Sequence, residues 1–170
     1  MLAVGSHDNH VYVYKVADWS LIGKCTGHSS YITALDWGED SKWIRSNCGA
    51  YELLFWDAAE CKQNPSGRSE LKDLAWATNT CPLTWCTEGV FPKGVDGTHV
   101  NAVWKCPEND YCLTGDDWCM VNLFNFPARP GNKPRSYKAH SEFVTNVLQT
   151  GEFVYTVGGY DQTVIQWKTK

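Results

Sequence analysis

His28-Ser29-Ser30-Tyr31-Ile32-Thr33-Ala34-Leu35 recurs as His140-Ser141-Glu142-Phe143-Val144-Thr145-Asn146-Val147. A degenerate copy, Asp96-Gly97-Thr98-His99-Val100-Asn101-Ala102-Val103, lies between them. Each copy leads to an aromatic at nearly constant distance: His28 to Trp56 is 28 residues, Asp96 to Phe124 is 28, and His140 to Trp167 is 27. Tyr14 precedes Trp56 by 42 residues and Phe124 precedes Trp167 by 43. A period in the low forties, with Gly-His near one end and an aromatic at the other, is the sequence signature of β-propeller blades.

The strand pattern agrees with the period. Short β-prone runs are separated by turn chemistry at regular intervals, and no segment carries a sustained 3.6-residue apolar stripe, which predicts an all-β fold without long helices. Val11–Tyr14, Leu53–Trp56, Met120–Phe124 and Val164–Trp167 read as equivalent third strands. Leu2–Val4, Trp43–Arg45, Tyr111–Thr114 and Phe153–Thr156 read as second strands, each followed by a turn rich in Gly or Asp. At about 40–45 residues per blade, 170 residues supply about four blades. Their bounds fall near 1–24, 25–95, 96–139 and 140–170. Trp56 to Phe124 is 68 residues, so the second blade is elaborated. Its surplus holds a turn at Asn64–Arg68 and a Trp-bearing stretch that reads as added strand pairs. The first repeat begins at its second strand and the last ends at its third. That predicts an open propeller whose edges are closed by a longer parent chain or by self-association.

Composition narrows the function. The net charge is −4 and the isoelectric point about 5.7, so no global basic field points to nucleic acid or an anionic membrane. No apolar run approaches the roughly 18–20 residues that span a bilayer. Met1–Asp8 has neither a basic nor an apolar leader region and reads as strand interior. The eight cysteines include no Cys-x-x-Cys pair and read as reduced structural thiols, with neither a metal nor a cofactor expected.

Beyond the period, the chain resembles the C-terminal end of the echinoderm microtubule-associated protein-like family, a branch of the WD-repeat propellers. The resemblance rests on Leu2–Asp8, Gly23–Ser30, Trp76-Ala77-Thr78, Gly94–Val103 and Thr114–Asp117. It implies a cytoplasmic, non-catalytic protein-binding scaffold of the microtubule cytoskeleton, with tubulin or microtubules and other proteins as partners. The alternative is a general WD-repeat scaffold or substrate receptor, and the remotest reading is a hydrolase using His140 and Asp161. The family's upstream hydrophobic motif and coiled coil have no counterpart in this sequence.

WD blades are stiffened by a buried His–hydroxyl–Trp–Asp network. The last repeat supplies His140, Thr156, Asp161 and Trp167; the second keeps His28 and Trp56 but has Ala50 at the Asp position. In the third, Asp96 replaces His, Phe124 replaces Trp, and Asp117 is one residue out of register. Recurrence blade by blade, with no Gly-x-Ser-x-Gly elbow, marks these residues as scaffold rather than catalytic triad. Asp116-Asp117 reads as a turn, and Asp36 with Glu39-Asp40 as solvated loop. Arg129–Lys138, with Arg129, Lys133, Arg135 and Lys138, reads as an exposed loop entering a last strand. It is a candidate contact for an acidic partner surface such as the tubulin tails.

Overall fold

The structure, a computed structural model, describes residues 1–94 and 99–169. Asp96, Gly97 and Thr98 of the degenerate repeat lie outside the described residues. The chain divides into two compact units, Met1–Cys81 and Pro82–Lys170.

The first unit holds two antiparallel sheets. β1 (Leu2–Gly5), β2 (His10–Tyr14) and β3 (Leu21–Thr26) form one, in sequence order. β4 (Ile32–Trp37), β5 (Trp43–Cys48), β6 (Leu53–Asp57) and the two-residue β7 (Lys62–Gln63) form the other. Alternation explains the packing: Val11 and Val13 of β2 are buried and cluster with Cys25, Ile44, Trp56 and Ala58. The sheets meet closely at Gly5, where an added Cβ would stand 2.6 Å from Ile32 Cγ2. The Ile32 N–H donates to the Ser6 carbonyl at 3.1 Å across that seam.

The second unit repeats the plan. β8 (Val100–Lys105), β9 (Tyr111–Asp116), β10 (Met120–Asn125) and β11 (Arg135–Lys138) form a four-stranded meander. β12 (Val144–Thr150), β13 (Phe153–Gly158) and β14 (Val164–Lys168) form a three-stranded one. Gly115 is the close approach here, since a Cβ would meet Val144 Cγ1 at 2.6 Å. Four consecutive sheets in which every strand pairs with its chain neighbour are the topology of propeller blades.

The sequence repeat has a backbone counterpart. The register slips between Ile32 and Ala34, between Val100 and Ala102, and between Val144 and Asn146. Thr33, Asn101 and Thr145 are therefore the extra residues, each the sixth of its repeat copy. A bulge at the same place in three first strands bends each where it enters its sheet.

Two expectations need correction. Among the described residues, the stretch from Leu71 to Gly94 adds no strand pairs. It contributes the single bridge Gly38–Trp76 and one 3-10 turn, Glu88–Val90. Pro82 and Pro92, which have no N–H to donate, disfavour a ladder there, and Trp76 is engaged by a side chain instead. The Asn64–Arg68 turn runs into a one-turn helix, α1 (Gly67–Glu70). Asp36 is also not solvated loop: it lies inside β4 and is 0% exposed, whereas Glu39 and Asp40 are exposed.

Candidate functional site

In the last sheet the four expected residues converge. Thr156 lies on β13 and Trp167 on β14, and the Trp167 indole N–H donates to Thr156 Oγ1 at 2.9 Å. His140, 2% exposed, meets the same hydroxyl with Nε2 at 2.7 Å and Asp161 Oδ2 with Nδ1 at 3.0 Å. Because Thr156 Oγ1 accepts from the indole, its own proton can go to Nε2, which leaves Nδ1–H for the carboxylate. Burial would raise the Asp161 carboxyl, but hydrogen bonds from His140, Thr163 and Ser141 hold it below its ordinary value. Thr163, whose Oγ1 is 3.0 Å from Nδ1, is a member that the repeat pattern does not reveal.

The second sheet reaches the same end differently. His28 Nε2 is 2.7 Å from Ser46 Oγ, which accepts the Trp56 indole N–H at 2.8 Å. Ala50 offers no carboxylate; Glu52 supplies it, with Oε2 at 3.0 Å from His28 Nδ1. The connection from Ser46 to Trp56 is one residue shorter than that from Thr156 to Trp167, so Glu52 stands where Thr163 does, counted back from the Trp. The longer side chain spans the gap. Glu52 Oε2 also accepts from the Ser29 N–H at 2.9 Å and Cys48 Sγ at 3.0 Å, and Oε1 accepts from Ser29 Oγ at 2.5 Å. Burial pushes the Glu52 carboxyl up, but these donors outweigh it and bring it down to about 2.

Among the described residues, the third sheet shows no such network. Phe124 holds the Trp register position, opposite Cys112, as Trp56 sits opposite Ile44 and Trp167 opposite Val154. With no indole donor, the Thr114 hydroxyl, 1% exposed, has no hydrogen-bond partner among the described residues. Asp117 pairs instead with His99 Nδ1 at 2.9 Å on the exposed side. Asp116 is a turn carboxylate, accepting the backbone N–H groups of Trp118 and Met120.

A further buried centre was legible only in part. Arg45, on β5 and 3% exposed, pairs with Asp36 through Nε and Nη2, both at 2.9 Å. Asp36 Oδ1 accepts from Thr78 Oγ1 at 2.7 Å, Thr80 N–H at 2.8 Å and Thr80 Oγ1 at 2.8 Å; Oδ2 accepts from the Cys81 N–H at 3.1 Å. The Arg45 guanidinium lies 4.4 Å from the Trp76 ring centroid and donates to Asn79 Oδ1 at 2.9 Å. Burial alone would raise the Asp36 carboxyl, but Arg45 and the Thr78 and Thr80 donors hold it below its ordinary value. The Trp76-Ala77-Thr78 motif thus has a physical job: it ties the inserted stretch to β4 and β5.

The four cations of the basic stretch, Arg129, Lys133, Arg135 and Lys138, are all exposed. None has a carboxylate within ion-pair distance among the described residues. The last four residues of the stretch are strand rather than loop, since Arg135 and Lys138 bound β11, the edge strand beside β10. Arg129 is positioned by the inserted stretch: the Gly89 N–H donates to the Ala128 carbonyl at 2.9 Å, and the Ala128 N–H to the Cys86 carbonyl at 2.8 Å. Arg135 and Tyr137 also line a cleft of about 500 Å³ in this unit, with Leu113, Leu123 and Trp167. Among the described residues, no helix is long and apolar enough to cross a membrane.

Comparison with known proteins places this geometry. The chain is 45% identical over its full length to the ciliary WD repeat-containing protein ctxp80 of Euplotoides octocarinatus, of which it covers 24%. It is 45% identical over 98% of its length to the human echinoderm microtubule-associated protein-like 4, of which it covers 18%. It therefore spans about a fifth to a quarter of these relatives. Among solved structures, a chain of the mitotic checkpoint complex matches over 98% of this chain and 58% of its own, with TM-score 0.71 and 16% identity. The Cps50 (Swd1) β-propeller domain of Myceliophteria thermophila matches over 92% of this chain and 58% of its own, with TM-score 0.62 and 16% identity. Both fix the fold as a WD-type propeller segment. The family model for the echinoderm microtubule-associated protein second beta-propeller matches residues 1–169. With its repeat bulges and its His–hydroxyl–Trp networks, the chain belongs to the family of the echinoderm microtubule-associated protein second β-propeller.

Proposed function

We propose that this chain is a non-catalytic, protein-binding part of a microtubule-associated scaffold, working in the cytoplasm on the cytoskeleton. Its family membership carries that reading, together with relatives named for microtubule association and for cilia. In this reading the His140–Thr156–Trp167 and His28–Ser46–Trp56 networks stiffen the blades. Each imidazole is buried and engaged at both ring nitrogens, so neither nitrogen faces a substrate. Rigid sheets then hold loops and edges in place for a partner.

The binding surface is the basic edge. Arg129, Lys133, Arg135 and Lys138 fall within ten residues, are exposed and have no ion-pair partner among the described residues, on a chain whose net charge is −4; this concentration of uncommitted cations suits an acidic partner surface, the tubulin tails first. The test is co-sedimentation of the chain with stabilised microtubules across a salt series. The expected result is saturable, salt-sensitive pelleting that weakens at least about tenfold when the four cations are replaced by Gln. Pelleting unchanged by those substitutions would remove the basic edge. No pelleting by folded chain would remove the microtubule and favour a general WD-repeat scaffold.

A further inference from the structure

The Glu52 solution to the missing blade carboxylate brings a thiol into the network. Cys48 is paired in register with Ile32, as Gly158 is with Val144 in the last sheet. At Gly158 a side chain is impossible, because an added Cβ would fall 1.8 Å from Asp161 Oδ1. In the second sheet the carboxylate arrives from Glu52 instead, and the space is open to the Cys48 side chain. The last sheet completes its hydrogen bonds with glycine there, so the thiol is surplus to blade stiffening.

We propose that His28, Cys48 and Glu52 form a zinc-binding site, with His28 Nδ1, Cys48 Sγ and Glu52 Oε2 as ligands and the fourth position open to water. One nitrogen, one sulfur and one carboxylate oxygen are zinc's characteristic donors. The three atoms lie within 4.8 Å of one another, and Glu52 Oε2 is 3.0 Å from each of the others. Ligand atoms on a tetrahedral zinc stand roughly 3.3–3.7 Å apart, so small side-chain rotations suffice. Charge favours the ion as well: a neutral imidazole, a thiolate and a carboxylate cancel Zn²⁺, which matters where His28 and Cys48 are 7% and 2% exposed. Glu52 is partly exposed beside exposed Ser29, which gives the ion a way in.

The proton balance is simple. The Cys48 S–H bond breaks, a zinc–sulfur bond forms, and one proton leaves to solvent. The imidazole proton passes from Nδ1 to Nε2, where it is donated to Ser46 Oγ. That oxygen has two lone pairs and still accepts from the Trp56 indole, so the blade network survives loading. His28 reaches the site from the loop before β4 and Cys48 from the end of β5, a spacing that cysteine pattern alone does not flag.

Cobalt(II) is the probe, titrated into metal-free full chain under reducing conditions. The expected result is one equivalent bound, a thiolate-to-cobalt charge-transfer band, one proton released, and displacement by zinc. Cys48→Ser abolishes the band, whereas Cys106→Ser, in the other unit, keeps it. Glu52→Gln, which retains hydrogen-bonding groups, weakens uptake at least about tenfold, and far-ultraviolet circular dichroism confirms that the variants are folded. If Cys48→Ser does not fold, Glu52→Gln and the wild-type stoichiometry still decide. No thiolate band in wild type, or an undiminished one in either ligand variant, overturns the site.

Discussion

Removing the Asp36 carboxylate should be among the most damaging single changes available to this chain. Asp36→Ala leaves the Arg45 guanidinium, 3% exposed, as an uncompensated buried charge. It also strips the acceptors from the Thr80 and Cys81 backbone N–H groups. Breaking a buried pair by deleting one partner costs about 3–5 kcal/mol. Each stranded backbone donor adds about 1–3 kcal/mol unless water reaches it. These terms do not simply sum, because residues 76–81 can peel away and Arg45 keeps Asn79 and the Trp76 face. The expected total is about 3–5 kcal/mol, against about 5–15 kcal/mol for a whole domain. Asp36→Leu with Arg45→Met removes the stranded charge, and should be more stable than Asp36→Ala by about 1–4 kcal/mol. The two N–H groups stay unpaired, so recovery is incomplete. Urea unfolding read by tryptophan fluorescence, summed over the nine Trp residues, measures both. A cost under about 1 kcal/mol for Asp36→Ala, or a double variant no better than the single, would refute the reasoning.

Acid should act through the same pair: the folded-state carboxyl lies below its ordinary 3.8, so its stabilisation is complete above that value and lost as pH falls through the folded one. The urea midpoint of wild type should therefore drop more steeply with acid than that of Asp36→Ala, and parallel acid limbs would contradict this. Thr114→Val should be neutral or stabilising by about 1 kcal/mol, because its buried hydroxyl is unpartnered. Thr156→Val should cost about 2–4 kcal/mol, since it strands the Trp167 indole and His140 Nε2; equal effects of the two changes in urea melts would break the network account. Gly89→Ala places a Cβ 2.1 Å from the Arg129 carbonyl oxygen. It should cost about 1–3 kcal/mol and speed hydrogen exchange around Ala128, where unchanged protection would show that the contact is dispensable.

The strand plan was legible because it is periodic. Second and third strands fall where the repeat places them, and Phe124 occupies the Trp register position. What was hidden depends on lengths and side-chain reach. Glu52 replaces an absent Asp from two residues further along, which is visible only once the shortened turn is seen in space. Asp36 was overshadowed by the turn Gly38-Glu39-Asp40 that follows, although an acid inside the apolar run Ala34–Trp37, with Arg45 nine residues on, is itself a signal. Trp76 suggested a strand because aromatics favour sheets, but it stacks on a guanidinium. The four cations of the basic stretch could be counted from sequence, whereas the pinning of Arg129 by Gly89 could not.

The most direct measurement is the binding of this chain to intact microtubules and to microtubules whose acidic tails have been removed, at fixed low salt. A basic edge that reads acidic tails predicts saturable binding to the first and at least about tenfold weaker binding to the second. Equal binding to both would contradict a tail-reading edge, and absence of binding to either by folded chain would contradict the microtubule as partner.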